Sequence, residues 1–150
     1  MKLTLKYALA AACWLGLATP ALAADLNVTV TGIKNANGVI MACLWSSGWG
    51  FPDCEPSRSN VSILRTPAQP GEVTITFTGV APGKYALSIG HDQNNDGRLE
   101  RHRILKYPIE GAGVSNYLQP PRFTPFHHEA QFDVSEPVTG ITVPLHYPPE

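Results

Sequence analysis

Apolar and polar residues alternate over most of the chain beyond residue 24, and this alternation constrains the fold more than any other feature. A period of two places every second side chain on one face of a β-strand, whereas the helical period of about 3.6 residues is nearly absent. Gly, Pro and Asn separate the alternating segments, as they do at turns. The apolar positions of the predicted strands are Leu26, Val28 and Val30; Val39, Met41, Cys43 and Trp45; Val61 and Ile63; Val73, Ile75 and Phe77; Tyr85, Leu87 and Ile89; Phe132 and Val134; and Ile141, Val143, Leu145 and Tyr147.

About seven or eight short strands in a chain of 150 residues predict an all-β fold. The arrangement that they favour is a single-domain antiparallel β-sandwich of the prealbumin- or immunoglobulin-like kind. Residues 24–150 contain no linker, repeat or low-complexity tract, which indicates one domain. Two long connections, residues 46–59 and 111–128, interrupt the regular spacing, and long loops on a rigid scaffold often form binding surfaces.

The N-terminus has the layout of an export signal. Lysines precede an apolar run over residues 7–18, and Ala21-Leu22-Ala23 supplies the small residues that a signal peptidase recognises. Cleavage is predicted after Ala23, so that residues 1–23 form the signal peptide and residues 24–150 the mature domain. The apolar run is shorter than the roughly 20 residues of a membrane-spanning helix. The sequence therefore predicts a periplasmic or secreted protein without a membrane span.

The predicted mature chain is mildly acidic. Without Lys2 and Lys6 it has 9 basic residues against 12 acidic ones, a net charge of −3 with histidine neutral. This balance provides no electrostatic footprint for nucleic acid, and no basic amphipathic segment indicates a membrane surface. The expected partner is a ligand or a protein, and the sequence does not identify it.

The cysteines predict a disulfide bond. Cys13 lies inside the predicted signal peptide, before its apolar run is complete, a position that disfavours lipidation. Cys43 and Cys54 remain as an even pair in an oxidising compartment, and their spacing does not fit a CxxC redox or metal motif. A bond closing this short loop would contribute on the order of 3 kcal/mol through loop-closure entropy.

One segment carries the strongest indication of a binding site. Asp92, Asn94 and Asp96 occupy positions one, three and five of a tight loop, and Gly97 follows at position six. Oxygen-bearing side chains at this spacing surround hard cations in many proteins, and the glycine permits the sharp turn between them. The carbonyl of Arg98 would occupy position seven. The sequence therefore predicts a calcium loop.

The rest of the loop departs from the helix-loop-helix pattern, so two interpretations stay open. Glu100 falls at position nine, and Arg103 stands at position twelve, where a bidentate glutamate is expected. The flanks are strands, so a calcium loop here would need its missing ligand from elsewhere, and Glu110 is the nearest candidate. The alternative is a polar hairpin in which Asn95-Asp96-Gly97 supplies turn residues. A calcium site of this kind would be weak, since it lacks the bidentate ligand.

The second half of the chain resembles a family of small exported bacterial proteins, the DUF2141 family. The resemblance implies export and a β-sandwich fold, and it supplies no activity. It rests on several ordered motifs, which are Gly83–Ala86, His91–Leu99, Pro108–Gly111, Gly113–Asn116 and Pro120–Phe123.

Other functions have weaker support in the sequence. A composite transition-metal site from His91, His102 and His127 would form only if the two long loops converge, which would make the protein a metal carrier. A small-molecule hydrolase or isomerase would use His91, Glu110 and Asn116 in one pocket. No nucleophile elbow or phosphate-binding glycine loop is present. The leading hypothesis is therefore a non-enzymatic exported binding or structural module with a calcium-stabilised loop.

Overall fold

The structure of the protein is a computed structural model. The structure describes residues 23–54, 60–99, 107–118, 125–135 and 137–149. Apart from Ala23, the predicted signal peptide and its cleavage lie outside the described residues, and both stay predictions.

The described residues form β-strands and no helix, which confirms the all-β prediction. Alternating burial along the first strand, where inward residues are buried and their neighbours are not, is the pattern that the sequence period predicts. The strands are β1 (Ala24–Ile33), β2 (Val39–Trp45), β3 (Val61–Pro67), β4 (Gly71–Val80), β5 (Gly83–Asp92), β6 (Gly111–Val114), β7 (Phe132–Val134) and β8 (Val138–Pro144).

These strands form two sheets. A three-stranded sheet has the order β4-β1-β8, and a five-stranded sheet has the order β3-β2-β5-β6, with β7 paired to the beginning of β5. The predicted antiparallel arrangement is wrong for one pair, because β1 and β8 run parallel. β1 and β8 are the first and last strands, and the long intervening chain lets them align in either direction.

The main core lies between the two sheets. Leu26, Val28 and Val30 of β1 have no exposed surface, and they belong to one apolar cluster with Ile40 of β2 and Leu87 of β5. Burying a side chain of this size contributes about 1.5–3 kcal/mol relative to leaving it exposed. The alternation seen in the sequence is therefore the signature of strands that each give one face to this core.

A second apolar cluster covers the opposite face of the five-stranded sheet. Met41, Cys43 and Trp45 of β2 are buried on this face, so β2 is buried on both sides. Side chains from the long connections pack against them, and the Phe51 ring lies edge-on to Trp45 with 5.7 Å between centroids. The described part of the first long connection therefore packs on this cluster through Phe51 and Cys54, whereas its Trp49 is 70% exposed.

Strand β6 was missed by the sequence analysis, which assigned its residues to a long loop. Its glycines, which weaken the strand signal, are required by packing. A Cβ on Gly113 would lie 2.5 Å from the Pro144 carbonyl oxygen, and a Cβ on Gly111 would lie 2.5 Å from the Tyr147 ring. The C-terminal segment lies too close for side chains at these two positions, so β6 lacks the alternating apolar residues that would have predicted a strand.

The predicted Cys43–Cys54 disulfide is present, with 6.1 Å between the Cα atoms. It ties β2 to the connection that covers the second cluster. Ser88 lies beside it, with its hydroxyl 3.2 Å from the Cys54 sulfur, and accepts a hydrogen bond from the Trp45 indole N–H at 2.8 Å. The bond is therefore part of a packed network beneath the loop.

Reducing this disulfide should lower the free energy of unfolding by about 3 kcal/mol, because the unfolded chain regains the entropy of an open loop. The measurement is urea denaturation of the wild-type protein with and without dithiothreitol. The double variant Cys43→Ala/Cys54→Ala is the control, and its unfolding curve should not respond to the reductant. Identical curves for oxidised and reduced wild type would show that the disulfide does not stabilise the fold.

Candidate metal site at the acidic loop

Asp92 ends β5 and begins the acidic loop as a fully buried residue. Its two carboxylate oxygens accept hydrogen bonds from the backbone N–H groups of Asp96, at 3.1 Å, and Gly97, at 2.9 Å. The chain beyond the strand therefore folds back around this carboxylate. Side-chain acceptance of backbone N–H groups is how Asp organises tight turns, and the same contacts orient a carboxylate for cation binding.

Asn94 and Asp96 continue this wrapping with exposed side chains. The Asn94 side-chain amide oxygen, Oδ1, accepts the Asp96 N–H at 3.1 Å, and an Asp96 carboxylate oxygen accepts the Arg98 N–H at 2.9 Å. The Asn94 amide also donates to the second Asp96 oxygen at 3.3 Å. Side chains one, three and five of the predicted loop thus accept backbone N–H groups of one turn, and Arg98 follows directly in the same turn.

Two residues with positive φ make this turn possible. Asn95 has φ of 58° and Gly97 has φ of 84°. Asparagine is among the few residues with a side chain that enter the left-handed region readily, and glycine enters it without steric cost. The sequence pattern therefore places both permissive residues where the backbone needs them.

Glu110 reaches the loop from the segment before β6. Its side chain is 5% exposed, and one carboxylate oxygen accepts the Gln93 N–H at 2.9 Å. Gln93 directly follows Asp92, so the buried Glu110 carboxylate is bound to the residue next to the buried Asp92. Glu110 is the nearest candidate for the missing ligand in the sequence, and its carboxylate lies at the beginning of the loop. The predicted ligand Glu100 lies outside the described residues.

Within the described ranges, no three His, Cys, Asp or Glu side chains come together as a metal-binding group. The predicted calcium set differs from such a group, because it also uses the Asn94 amide oxygen, a backbone carbonyl at Arg98 and Glu100. Calcium binding stays a prediction.

The acidic loop is anchored to the turn between β1 and β2. The Asn35 amide donates to the Gln93 side-chain oxygen at 2.9 Å. Gly38, with φ of 65°, lies so close to the Asp92 carbonyl that a Cβ there would collide with it. The turn and the loop therefore form one end of the domain.

His91 connects this end to the C-terminal segment. It is fully buried, with Nε2 2.7 Å from the Asn37 carbonyl oxygen and Nδ1 2.7 Å from the Tyr147 hydroxyl. Because a carbonyl only accepts, we assign the proton to Nε2, and the Tyr147 hydroxyl then donates to Nδ1. Both ring nitrogens are thus engaged in structural hydrogen bonds.

Tyr147 is itself held by Lys34. The Lys34 backbone N–H donates to the Tyr147 hydroxyl oxygen at 3.2 Å, and the Lys34 ammonium lies 4.9 Å from the centre of its ring. Burial raises the pKa of the Tyr147 hydroxyl, and the Lys34 hydrogen bond opposes this in part. The hydroxyl therefore stays protonated at neutral pH, as donation to His91 requires.

The structure does not bring the three residues of the enzyme hypothesis into one pocket. His91 pairs with Gly111 at the start of β6, whereas Asn116 follows the other end of that strand. The Asn116 amide donates to the backbone carbonyls of Glu129 and Gln131, at 3.2 Å and 2.8 Å, and is committed there. Only His91 and Glu110 lie at the same end.

The histidines of the metal-carrier hypothesis are also separated where the structure describes them. His91 pairs with Ile40 at one end of β2. His127 packs edge-on against Phe51, with 5.5 Å between centroids, and faces Gly48, beyond the other end of that strand. His102 lies outside the described residues.

Ser115 and Asn116 form a tight turn whose side chains are committed to hydrogen bonds. The Ser115 hydroxyl accepts the Leu87 N–H at 2.9 Å and donates to the Ala130 carbonyl at 2.6 Å. Asn116 adopts φ of 66°. These residues attach the segment 125–131 to the sheet, a role that depends on partners distant in sequence.

Glu129 reinforces this attachment. Its carboxylate accepts the Tyr117 hydroxyl at 2.8 Å and the Phe126 N–H at 3.0 Å. These two hydrogen bonds hold the pKa of Glu129 below its ordinary value. The pKa of Tyr117 is raised by burial and then by the Glu129 carboxylate.

The comparisons with known proteins identify the family. The model of the family described as "Uncharacterized protein conserved in bacteria" (DUF2141) matches residues 28–142, which is most of the chain. The protein therefore belongs to this family, which confirms the resemblance found in the sequence. No curated protein matches the chain, and no solved structure matches it. In the part of the chain that the structure describes, no helix is long and apolar enough to cross a membrane.

Tyr147→Phe should lower the free energy of unfolding by about 1–3 kcal/mol, because it leaves the buried Nδ1 atom of His91 without its donor. Chemical denaturation of the variant and the wild type measures this difference. Tyr85→Phe is the control, since it removes only an exposed hydrogen bond to the Ala81 carbonyl. Equal stability of the two variants would contradict a structural role for the His91 contacts.

Acidification should loosen the segment around Glu129. A carboxylate with a lowered folded-state pKa contributes stability above its unfolded pKa and loses it as the pH falls through the folded-state value. The amide resonance of Phe126, followed by NMR during an acid titration, should report the Glu129 protonation. Glu129→Gln is the control, because it should remove this titration. A Phe126 shift that persists in that variant would assign the effect to another group.

Proposed function

We propose that this protein is an exported, non-enzymatic binding or structural module with an immunoglobulin- or prealbumin-like fold and a calcium-stabilised loop. The observation that carries the proposal is the folding of the acidic loop around the buried Asp92 carboxylate. The separation of His91 from Asn116 supports a binding role over a catalytic one.

The chemistry of the loop favours calcium. Asp92, Asn94 and Asp96 offer hard oxygen ligands within one turn, with the Arg98 carbonyl and Glu100 completing the proposed set. Glu110 adds a second buried carboxylate, bound to the N–H of Gln93, the residue that follows Asp92. Carboxylates gathered at low dielectric repel one another, and a divalent cation would offset that repulsion.

A bound cation would stiffen more than its own loop. The loop is joined to the β1–β2 turn through Asn35 and Gly38, and Glu110 leads directly into β6. Ordering the loop would therefore fix three segments at one end of the two-sheet domain. A fixed end is a suitable surface for an unidentified ligand or protein partner.

Location outside the cytoplasm agrees with the weak affinity expected. The Cys43–Cys54 disulfide and the absence of a spanning helix in the described ranges are compatible with export. Periplasmic or secreted location is part of the proposal, together with the predicted signal peptide. Without a bidentate glutamate at position twelve, we expect a Kd in the range of extracellular calcium modules, roughly 10⁻⁴–10⁻³ M.

Calcium should raise the melting temperature of the wild-type protein. At a tenfold excess over Kd, binding to the folded state alone adds about 1.4 kcal/mol of stability. For a domain of this size that amounts to about 4 °C. Differential scanning calorimetry in calcium, in magnesium and in chelator measures the effect. Magnesium should act less, because it gives up its bound water reluctantly.

Asp96→Ala should abolish the calcium increment. Asp96 is exposed, so its replacement tests the ligand with less effect on folding than replacement of the buried Asp92. Asp133→Ala is the matched control, since Asp133 is an exposed aspartate paired with Lys84 at the other end of β5. A wild-type melting curve that is the same in calcium and in chelator would leave the polar-turn interpretation.

A further inference from the structure

Strand β4 presents an unpaired edge. It ends the three-stranded sheet, and among the described residues its backbone pairs with β1 alone. Register shifts occur near Gly79 and Gly32, and the strand is regular between them from Glu72 to Phe77. A regular, unpaired edge of this length offers a row of backbone donors and acceptors to another strand.

Between its two irregular ends, this edge has few of the features that block pairing. Residues 71–80 contain no Lys, Arg or Pro, and Glu72 is their one charged residue. The neighbouring edge strand β3 carries Arg65 and ends at Pro67. At the opposite edge of the domain, pairing between Ala112 and His146 links the two sheets. Of these three edges, that of β4 is therefore the most accessible to another strand.

At this edge, the three-stranded sheet also does not fully cover the facing strand β3. Leu64 of β3 pairs with Ala42, which faces the main core, and yet 37% of its surface is exposed. A groove of about 410 Å³ opens here between the sheets. Its lining is uncharged and includes Leu44, Ser62, Leu64, Phe77, Val80 and Tyr85. A strand added beside β4 would lie over this groove.

We propose that the added strand is β4 of a second copy of this protein. A two-fold axis perpendicular to the sheet reverses the strand direction, so two identical edge strands related by it pair antiparallel. With the axis at Ile75, Val73 lies opposite Phe77 of the second copy, and Thr74 lies opposite its Thr76. Glu72 then lies opposite Thr78 of the second copy, so no like charges meet.

Self-pairing satisfies both faces of the joined sheet. The inward residues Val73, Ile75 and Phe77 meet apolar residues of the second copy above the uncharged groove. The outward threonines meet threonines, and such cross-strand pairs stabilise antiparallel sheets. The resulting dimer has one continuous six-stranded sheet, built from two sheets of three strands each.

Thr74→Lys tests the proposed dimer. Thr74 is exposed and aligned with Thr29 of β1, which is in turn aligned with the exposed Thr142 of β8. The same substitution at Thr142 therefore changes the same face of the same sheet at its other edge. Sedimentation equilibrium of the full chain, expressed with its own N-terminal segment, measures the association from low to high micromolar concentration.

The wild type should dimerise, and Thr74→Lys should weaken the association by about tenfold or more, because lysine blocks edge pairing and its charge is repeated across the axis. Thr142→Lys should associate as the wild type does. Circular dichroism of both variants checks that they remain folded. A wild type that is monomeric throughout, or equal weakening by the two substitutions, would overturn the proposal. If Thr74→Lys fails to fold, Thr76→Lys takes its place. A Thr76→Lys variant that associates as strongly as the wild type would also overturn the proposal.

Discussion

Burial of β2 on both faces is the constraint on which the rest of the structure depends. Ile40, Ala42 and Leu44 face the core between the sheets, while Met41, Cys43 and Trp45 face away from it. The outward set cannot remain in water without a large cost, so the long connections must fold over it. The disulfide at Cys54 and the Ser115 contacts each fasten part of that cover. The loops are thus a second layer of the fold.

Strand β5 joins this packing to the polar end of the domain. Its centre is buried and, apart from Ser88, apolar, and its last two residues, His91 and Asp92, are polar and also buried. Burial of such groups is tolerated only with hydrogen-bond partners, and each residue has two in the structure. The same strand therefore specifies the core and the position of the acidic loop.

The sequence predicted what depends on local pattern. Alternation located seven of the strands. The spacing of Asp92, Asn94 and Asp96 located the turn that folds around the Asp92 carboxylate. The sequence did not predict features that depend on contacts between residues far apart in the chain. Gly111 and Gly113 are glycines because of the C-terminal segment, which hid β6, and His91 finds partners 54 and 56 residues away. No local period encodes such contacts. The parallel pairing of β1 with β8 was hidden for the same reason.

That parallel pairing determines how the domain would respond to mechanical tension. Asp25 aligns with Val138, and Thr31 aligns with Pro144, so the chain enters β1 at one end of the pair and leaves β8 at the other. The two points are about 20 Å apart along the strands. A pull on the two ends of the described chain would load the hydrogen bonds between β1 and β8 together, in shear. An antiparallel pair would open from one end, one bond at a time.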